Sequence, residues 1–303
     1  MPVSEMISVL NERRVVASVS GGKDSAAMSL WLTEQGVDHD RVFMDTGWEH
    51  PATYDYLRGP LTAKLGPIVE LRAPLLMEDL IRKKGMFPSR TRRFCTQELK
   101  IRPMQRYLKE RQAAGDDVIN AVGVRADESE ARRRLREWEW QEGFDCEVWR
   151  PILLWSEQQV IDIHKRHGLH PNPLYLLGAS RVGCWPCIHA RKAEIRLIAD
   201  KDPERVVRLR LLEEEVGVAA QARAVRDGKE LKTLPTWFQN PTSRAGEDGH
   251  RDGSCWSIDR VVEWSRTARG GRQFELFAPS YEEGCMRWGL CEQAAKSSAE
   301  VAQ

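Results

Sequence analysis

Six consecutive residues, Ser20-Gly21-Gly22-Lys23-Asp24-Ser25, constrain this chain more than any other stretch. They close the apolar run Val15 to Val19 and open the amphipathic segment Ala26 to Leu32, so the pattern predicts strand, tight turn and helix. A helix start presents unpaired backbone N–H groups and about half a positive charge. The paired glycines keep Cβ atoms out of the approach, and Lys23, Ser20 and Ser25 add donors, so the turn suits an anion. Asp24 repels phosphate unless a cation such as Mg2+ lies between them, which points to a metal-bound di- or triphosphate. The Walker spacing and the dinucleotide glycine pattern are both absent. A plain glycine turn with a solvated Lys-Asp pair is the competing explanation, and the complete set at a strand-to-helix junction disfavours it.

The length of 303 residues and an apolar content of 41% fit one large domain, or a main domain with an appendage. Basic residues number 46 against 45 acidic, so no global field favours nucleic acid and any such site must be a local patch. No apolar run has membrane-spanning length and no basic-then-apolar leader opens the sequence, which predicts a cytoplasmic protein without a membrane partner. Seven cysteines in a reducing compartment point to metal or redox chemistry rather than to a disulfide framework.

Short apolar runs recur at Val15 to Ser20, Val42 to Asp45, Ile68 to Leu71, Val118 to Val124 and Val148 to Leu154, separated by helix-like stretches. This alternation predicts an α/β fold, a Rossmann-like parallel sheet of about five strands with helices on both faces and the ligand at the carboxyl ends of the strands. The expected organisation is a nucleotide-binding domain over 1–190, a helical segment over 191–233, a Pro- and Gly-bearing loop over 234–255, a cysteine- and tryptophan-bearing region over 256–292 and a frayed tail over 293–303.

Several side chains stand out as chemistry-bearing. Asp45 ends the second predicted strand and emerges on the same sheet edge as the phosphate loop, although His50 or Thr46 could be capping a helix there without any ligand. Arg90, Arg92, Arg93 and Lys100 surround Cys95, a density suited to an anionic substrate and able to favour the thiolate, or else a solvated basic face. Cys184 and Cys187 form a C-x-x-C that can bite one metal or cluster, with Cys95 and either Cys291 or Cys285 completing a set of four. On spacing alone zinc suits these ligands as well as iron does, and His189 is a possible substitute. Cys146 and Cys255 read as inert. Trp237, Phe238, Trp256 and Trp264 could stack a nucleobase, but core or surface cover is the commoner role.

The loop resembles the PP-loop of ATP pyrophosphatases, which cleave between the α and β phosphates. The order of motifs from about Arg13 to Ala190 resembles the phosphoadenosine phosphosulfate (PAPS) reductase family. The matching residues are Asp45-Thr46-Gly47 with Pro51, Thr53, Tyr54 and Tyr56; Cys95 followed by Leu99-Lys100-Ile101 and Pro103; Gly123 and Arg125 before Ser129; Trp155-Ser156; Gly168-Leu169; and Pro173-Leu174-Tyr175 leading to Cys184. The resemblance implies a fold like that of the adenine nucleotide α-hydrolases, a nucleotide site that includes Asp45, Gly123 and Arg125, and a 4Fe-4S cluster on the cysteines. Two positions depart from the pattern: Phe94 stands where the reductases pair a second cysteine with Cys95, and Ala126 replaces a second arginine after Arg125.

The intact Lys23, Asp24 and Ser25 fit an enzyme holding Mg-ATP better than a reductase, whose loop is degenerate. The leading expectation is therefore an ATP pyrophosphatase that adenylylates an acceptor for sulfur incorporation. By analogy with the PAPS-reductase-like proteins of DNA phosphorothioation and with cluster-bearing tRNA thiolases, the acceptor is a nucleic acid and the sulfur comes from a cysteine desulfurase. The first alternative is an assimilatory adenylylsulfate (APS) or PAPS reductase, whose Glu-Cys-Gly tail is matched poorly by Gly284-Cys285 and Cys291-Glu292. The second is a non-catalytic nucleotide-binding subunit with a structural zinc.

Overall fold

In the computed structural model, which describes residues 7, 10–231, 233–240, 255–268 and 288, strand β1 (Arg14–Ser18) is almost wholly buried. Its successive side chains serve two cores: Val15 and Ala17 pack with Leu10, Ile119 and Trp149, while Val16 packs with Val42, Met104 and Leu108. A strand with apolar contacts on both faces can only be a central one, covered on each side. It pairs in parallel with β2 (His39–Asp45) on one side and β4 (Val118–Val122) on the other.

The full sheet has six strands in the order β3-β2-β1-β4-β6-β5, with β3 at Ile68–Arg72, β5 at Trp138–Gln141 and β6 at Cys146–Trp149. All pairings are parallel except β5 with β6. The five predicted runs become β1, β2, β3, β4 and β6, each shifted by a few residues at its ends. The sequence reading assigns no strand at 138–141, where the edge strand Trp-Glu-Trp-Gln shows no apolar run. What secures it is packing: Trp138 stacks on Trp149 with centroids 5.0 Å apart, and Arg150 donates to Glu139 at 2.5 Å.

Helix Lys23–Glu34 follows β1 and lies with helix Glu157–Arg166 on one face; helix Arg102–Ala113 covers the other. Strand order reverses between β1 and β4, since β2 and β3 continue outward on one side and β6 and β5 on the other. In sheets of this kind the crevice beyond the carboxyl ends at such a switch point is where ligands bind. The segments that follow β1 and β4 are the loop Ser20 to Ser25 and the stretch Gly123 to Arg125.

The described chain divides into two units. The sheet belongs to the first, which spans Met1–Ala73, Glu98–Gly183 and Tyr281–Gln303. The second spans Pro74–Gln97 and Cys184–Ser280 and is mostly helical, with helices at Met77–Lys84, Lys192–Lys201, Pro203–Arg226 and Ile258–Ser265. It also contains a short ribbon pairing Phe238–Gln239 with Cys255–Trp256. Glu213 fastens the ribbon, accepting the backbone N–H of Trp237 and of Ile258, each at 2.9 Å.

Candidate functional site

The turn after β1 depends on Gly21, whose φ of 73° lies in the left-handed region that favours glycine, and a Cβ there would come within 3.1 Å of the Thr53 side chain. Gly22 occupies the helix N-cap with no side chain to cap it. Two of the freed amides are spoken for: the Tyr175 hydroxyl accepts the Lys23 N–H at 3.1 Å, and Ser25 Oγ accepts the Ser20 N–H at 3.1 Å. Those of Asp24 and Ser25 have no hydrogen-bond partner among the described residues, which leaves the helix start open to an anion.

The neighbouring strand end packs directly on this turn. A Cβ at Gly123 would sit 2.7 Å from the Ser25 Cα and 3.0 Å from the Asp24 carbonyl, so only glycine permits the approach. Arg125 follows, 5% exposed, and its Nε donates to Asp24 Oδ1 at 2.5 Å. Lys23 Nζ reaches the other carboxylate oxygen at 3.2 Å, stands 3.6 Å from Glu157 and lies 5.3 Å above the Tyr175 ring. Asp24 is thus held between two cations. Burial, with Arg125 and Arg181 close by, pulls the Arg132 guanidinium below its ordinary value, while Asp24 acts in the opposite sense. Arg132 pairs with Glu128, so Lys23 and Arg125, both on Asp24, are the cations at the loop itself.

Three supporting residues escape the sequence reading as parts of this site. His164 is buried with Nε2 2.9 Å from the Lys23 carbonyl and Nδ1 3.3 Å from that of Leu169, and burial lowers its pKa. Asn172 donates to the Gly21 carbonyl at 3.3 Å. Tyr175, recognised only as part of the Pro-Leu-Tyr progression, touches both the amide and the ammonium of Lys23. All three lie more than 135 residues downstream of the loop, and no local pattern links them to it.

Asp45 is 1% exposed and its oxygens are fully engaged. It accepts from the Tyr54 hydroxyl at 2.7 Å, the Gly47 N–H at 2.8 Å and Arg72 Nε at 2.6 Å. Tyr54 also donates to Glu49 at 2.8 Å, so two carboxylates share one phenol, whose pKa burial and Glu49 raise far above its usual range. The Asp-Thr-Gly turn is thereby fixed at the strand end.

The predicted basic cluster divides between the two units: Arg90, Arg92 and Arg93 belong to the second and Lys100 to the first. Cys95, in the short helix Phe94–Thr96, lies in the second unit with Cys184 and Cys187, all three half-buried. The Trp185–Pro186 peptide inside the C-x-x-C is cis, and the His189 N–H donates to Cys187 Sγ at 3.5 Å. Among the described residues no three His, Cys, Asp or Glu side chains come together to hold a metal ion. Cys285 and Cys291 lie outside the described residues. Burial pushes the Cys146 thiol up to about 11, in keeping with an inert role.

A parallel sheet with a phosphate loop at its switch point, Gly123 pressed against that loop and arginines around it defines a nucleotide-binding protein of the PP-loop type. The chain belongs to the PAPS reductase family: the family model described as the phosphoadenosine phosphosulfate reductase domain matches residues 14–190. Over nearly its whole length it is similar to an uncharacterised 37.8 kDa protein of Escherichia phage 186, 33% identical over 91% of this chain and 96% of that one. It is also similar to an adenosine 5'-phosphosulfate reductase of Deinococcus radiodurans, 30% identical over 52% of this chain and 60% of the relative. Among solved structures, a PAPS reductase from Candida auris in a phosphate complex aligns with a TM-score of 0.48 at 21% identity, covering 61% of this chain and 89% of that one. Among the described residues no helix is long and apolar enough to cross a membrane.

Proposed function

We propose that this protein is an ATP pyrophosphatase that adenylylates a nucleic-acid acceptor in preparation for sulfur incorporation. The observation that carries the proposal is the helix start at Asp24 and Ser25, which no side chain caps, with Lys23 and Arg125 beside it on the Asp24 carboxylate. The β and γ phosphates of ATP would take the free amides and Lys23, and Arg125 would follow the charge that develops as the α–β bridge breaks. An acceptor oxygen attacks the α-phosphorus, the bond to the bridging oxygen breaks and pyrophosphate leaves. A sulfur nucleophile then displaces AMP from the acceptor, delivered in this reading by a cysteine desulfurase.

Asp24, whose two oxygens here take Arg125 and Lys23, would hold Mg2+, and the metal would neutralise phosphate charge. Gly21, Gly22, Ser20 and Gly123 give the phosphates room and donors, and Asp45 holds the Tyr54 turn at the rim of the nucleotide site. For the cysteines the reading is a 4Fe-4S cluster on Cys95, Cys184, Cys187 and Cys291 or Cys285, with zinc as the alternative. Cys184 and Cys187 would give either metal a thiolate pair, whereas Cys95, also described, does not come together with both of them to hold a metal ion.

The similarity to APS reductases favours one other reading, in which the bound nucleotide already carries sulfur and sulfite is the product. Incubation with ATP, APS and PAPS separates them. Pyrophosphate from ATP supports the first reading, and sulfite from APS or PAPS with no pyrophosphate supports the second.

A further inference from the structure

The second unit contains a cavity of about 640 Å³ that the nucleotide site does not use. Its cationic lining residues are Arg90, Arg92, Arg191 and Lys192, and no Asp or Glu is among the described residues that line it. In a chain with 46 basic and 45 acidic residues this one-sided lining is not a consequence of composition. The volume falls in the range of about 300–1,000 Å³ usual for ligand sites.

Two indole rings, Trp237 and Trp264, also line the cavity, and both are held in place. Trp237 is 2% exposed and meets Phe87 edge-on at 5.9 Å. Lys192 Nζ lies 5.1 Å over the Trp264 ring and donates to Thr267 Oγ1 at 3.0 Å, which fixes the ring from one side. Arg90, Arg92 and Arg191 are exposed residues of the lining. Arg191 occupies the N-cap position of the helix Lys192–Lys201, where the Glu194 carboxylate accepts its backbone N–H at 2.6 Å.

A fixed, partly exposed ring such as that of Trp264 can take the flat face of a base, and guanidinium groups donate to phosphodiester oxygens. A duplex keeps its base faces stacked and offers only phosphates, whereas an unpaired strand offers both. We infer that the basic cavity lined by Arg90, Arg92, Arg191 and Trp264 binds single-stranded nucleic acid.

The test is fluorescence anisotropy of the full chain with fluorescein-labelled single-stranded DNA and RNA, the matching duplex, and competition by AMP and polyglutamate. A single strand should bind more tightly than the duplex, with affinity falling as salt rises. Arg90→Gln with Arg92→Gln should weaken it about tenfold and reduce the salt slope by about two. Trp264→Leu should cost about fivefold or more. Should that variant fail to fold, Arg191→Gln carries the same expectation. Duplex or polyglutamate binding as tight as the strand, AMP competing equally, or variants binding like the parent would each overturn the inference. Pyrophosphate release from ATP is measured on the same preparations. Strand binding without it overturns the proposed function and leaves the cavity, whereas pyrophosphate release without strand binding overturns the cavity alone.

Discussion

Arg125 and Asp24, 101 residues apart in sequence, meet through a hydrogen-bonded ion pair of 2.5 Å at the junction of the two central strands. The arginine side chain is 6% exposed and the aspartate 13%, so removing either partner strands the other's charge away from water. Arg125→Gln should weaken Mg-ATP binding about tenfold or more while the melting temperature falls, measured by calorimetric titration and thermal unfolding. Asp24→Asn should restore part of the fold's stability relative to Asp24→Ala, because the amide oxygen still accepts from Arg125. Both variants should lose pyrophosphate release if Asp24 positions magnesium, and unchanged turnover would remove that role.

Gly123→Ala should be far more disruptive than its single methyl suggests. The new Cβ would meet backbone at Ser25 and Asp24, which cannot swing aside as a side chain can. A cost of about 1–3 kcal/mol in denaturant unfolding is expected, with nucleotide affinity falling in parallel. An alanine variant with parental stability and affinity would mean that the β4 end does not buttress the loop.

Tyr175→Phe tests the second support of the loop. Losing the hydroxyl leaves the buried Lys23 N–H without its acceptor, at about 1–3 kcal/mol. The ring stays beneath the Lys23 ammonium, so Tyr175→Leu should reduce ATP affinity further than phenylalanine does. Equal affinities for the two variants would show that the ring contributes nothing.

Two buried groups give the stability opposite pH dependences. Burial depresses His39 from 6.5 to about 4, so its contribution is complete above 6.5 and is lost as pH falls toward 4, roughly 3 kcal/mol in all. Burial raises Glu213 from 4.5 to about 7, with Asp259 adding to the rise, so the unfolded state gives up its proton first. Its contribution is complete below 4.5 and is lost as pH rises toward 7, again roughly 3 kcal/mol. Guanidinium unfolding between these limits should show His39→Asn more tolerant of acid and Glu213→Gln flatter toward neutral pH. Parallel profiles for parent and variants would contradict both assignments.

What could be read from the chain before its structure followed from local rules. Val15, Val42, Val118 and Val148 lie in runs with buried residues on both faces, so the centre of the parallel sheet was legible, and Ile68 marked β3 although that strand is partly exposed. The phosphate loop was legible because glycine, lysine and serine must fall within six residues at a strand end. The β5 edge strand was not, since Trp138 and Trp140 alternate with polar residues in a stretch only four long. The loop's supports, His164, Asn172 and Tyr175, are ordinary residues locally, and only the folded chain brings them against Lys23 and Gly21. The basic segment at 90–100 read as one cluster, yet Arg90 and Arg92 line a cavity with residues a hundred positions later, while Lys100 belongs to the other unit.

The most direct test of the account is the fate of γ-labelled ATP incubated with the full chain, magnesium and single-stranded nucleic acid. The account predicts that label leaves as pyrophosphate in step with AMP, and that Lys23→Ala abolishes both. Label released as orthophosphate with ADP, or ATP left intact while APS is turned over to sulfite, would contradict it.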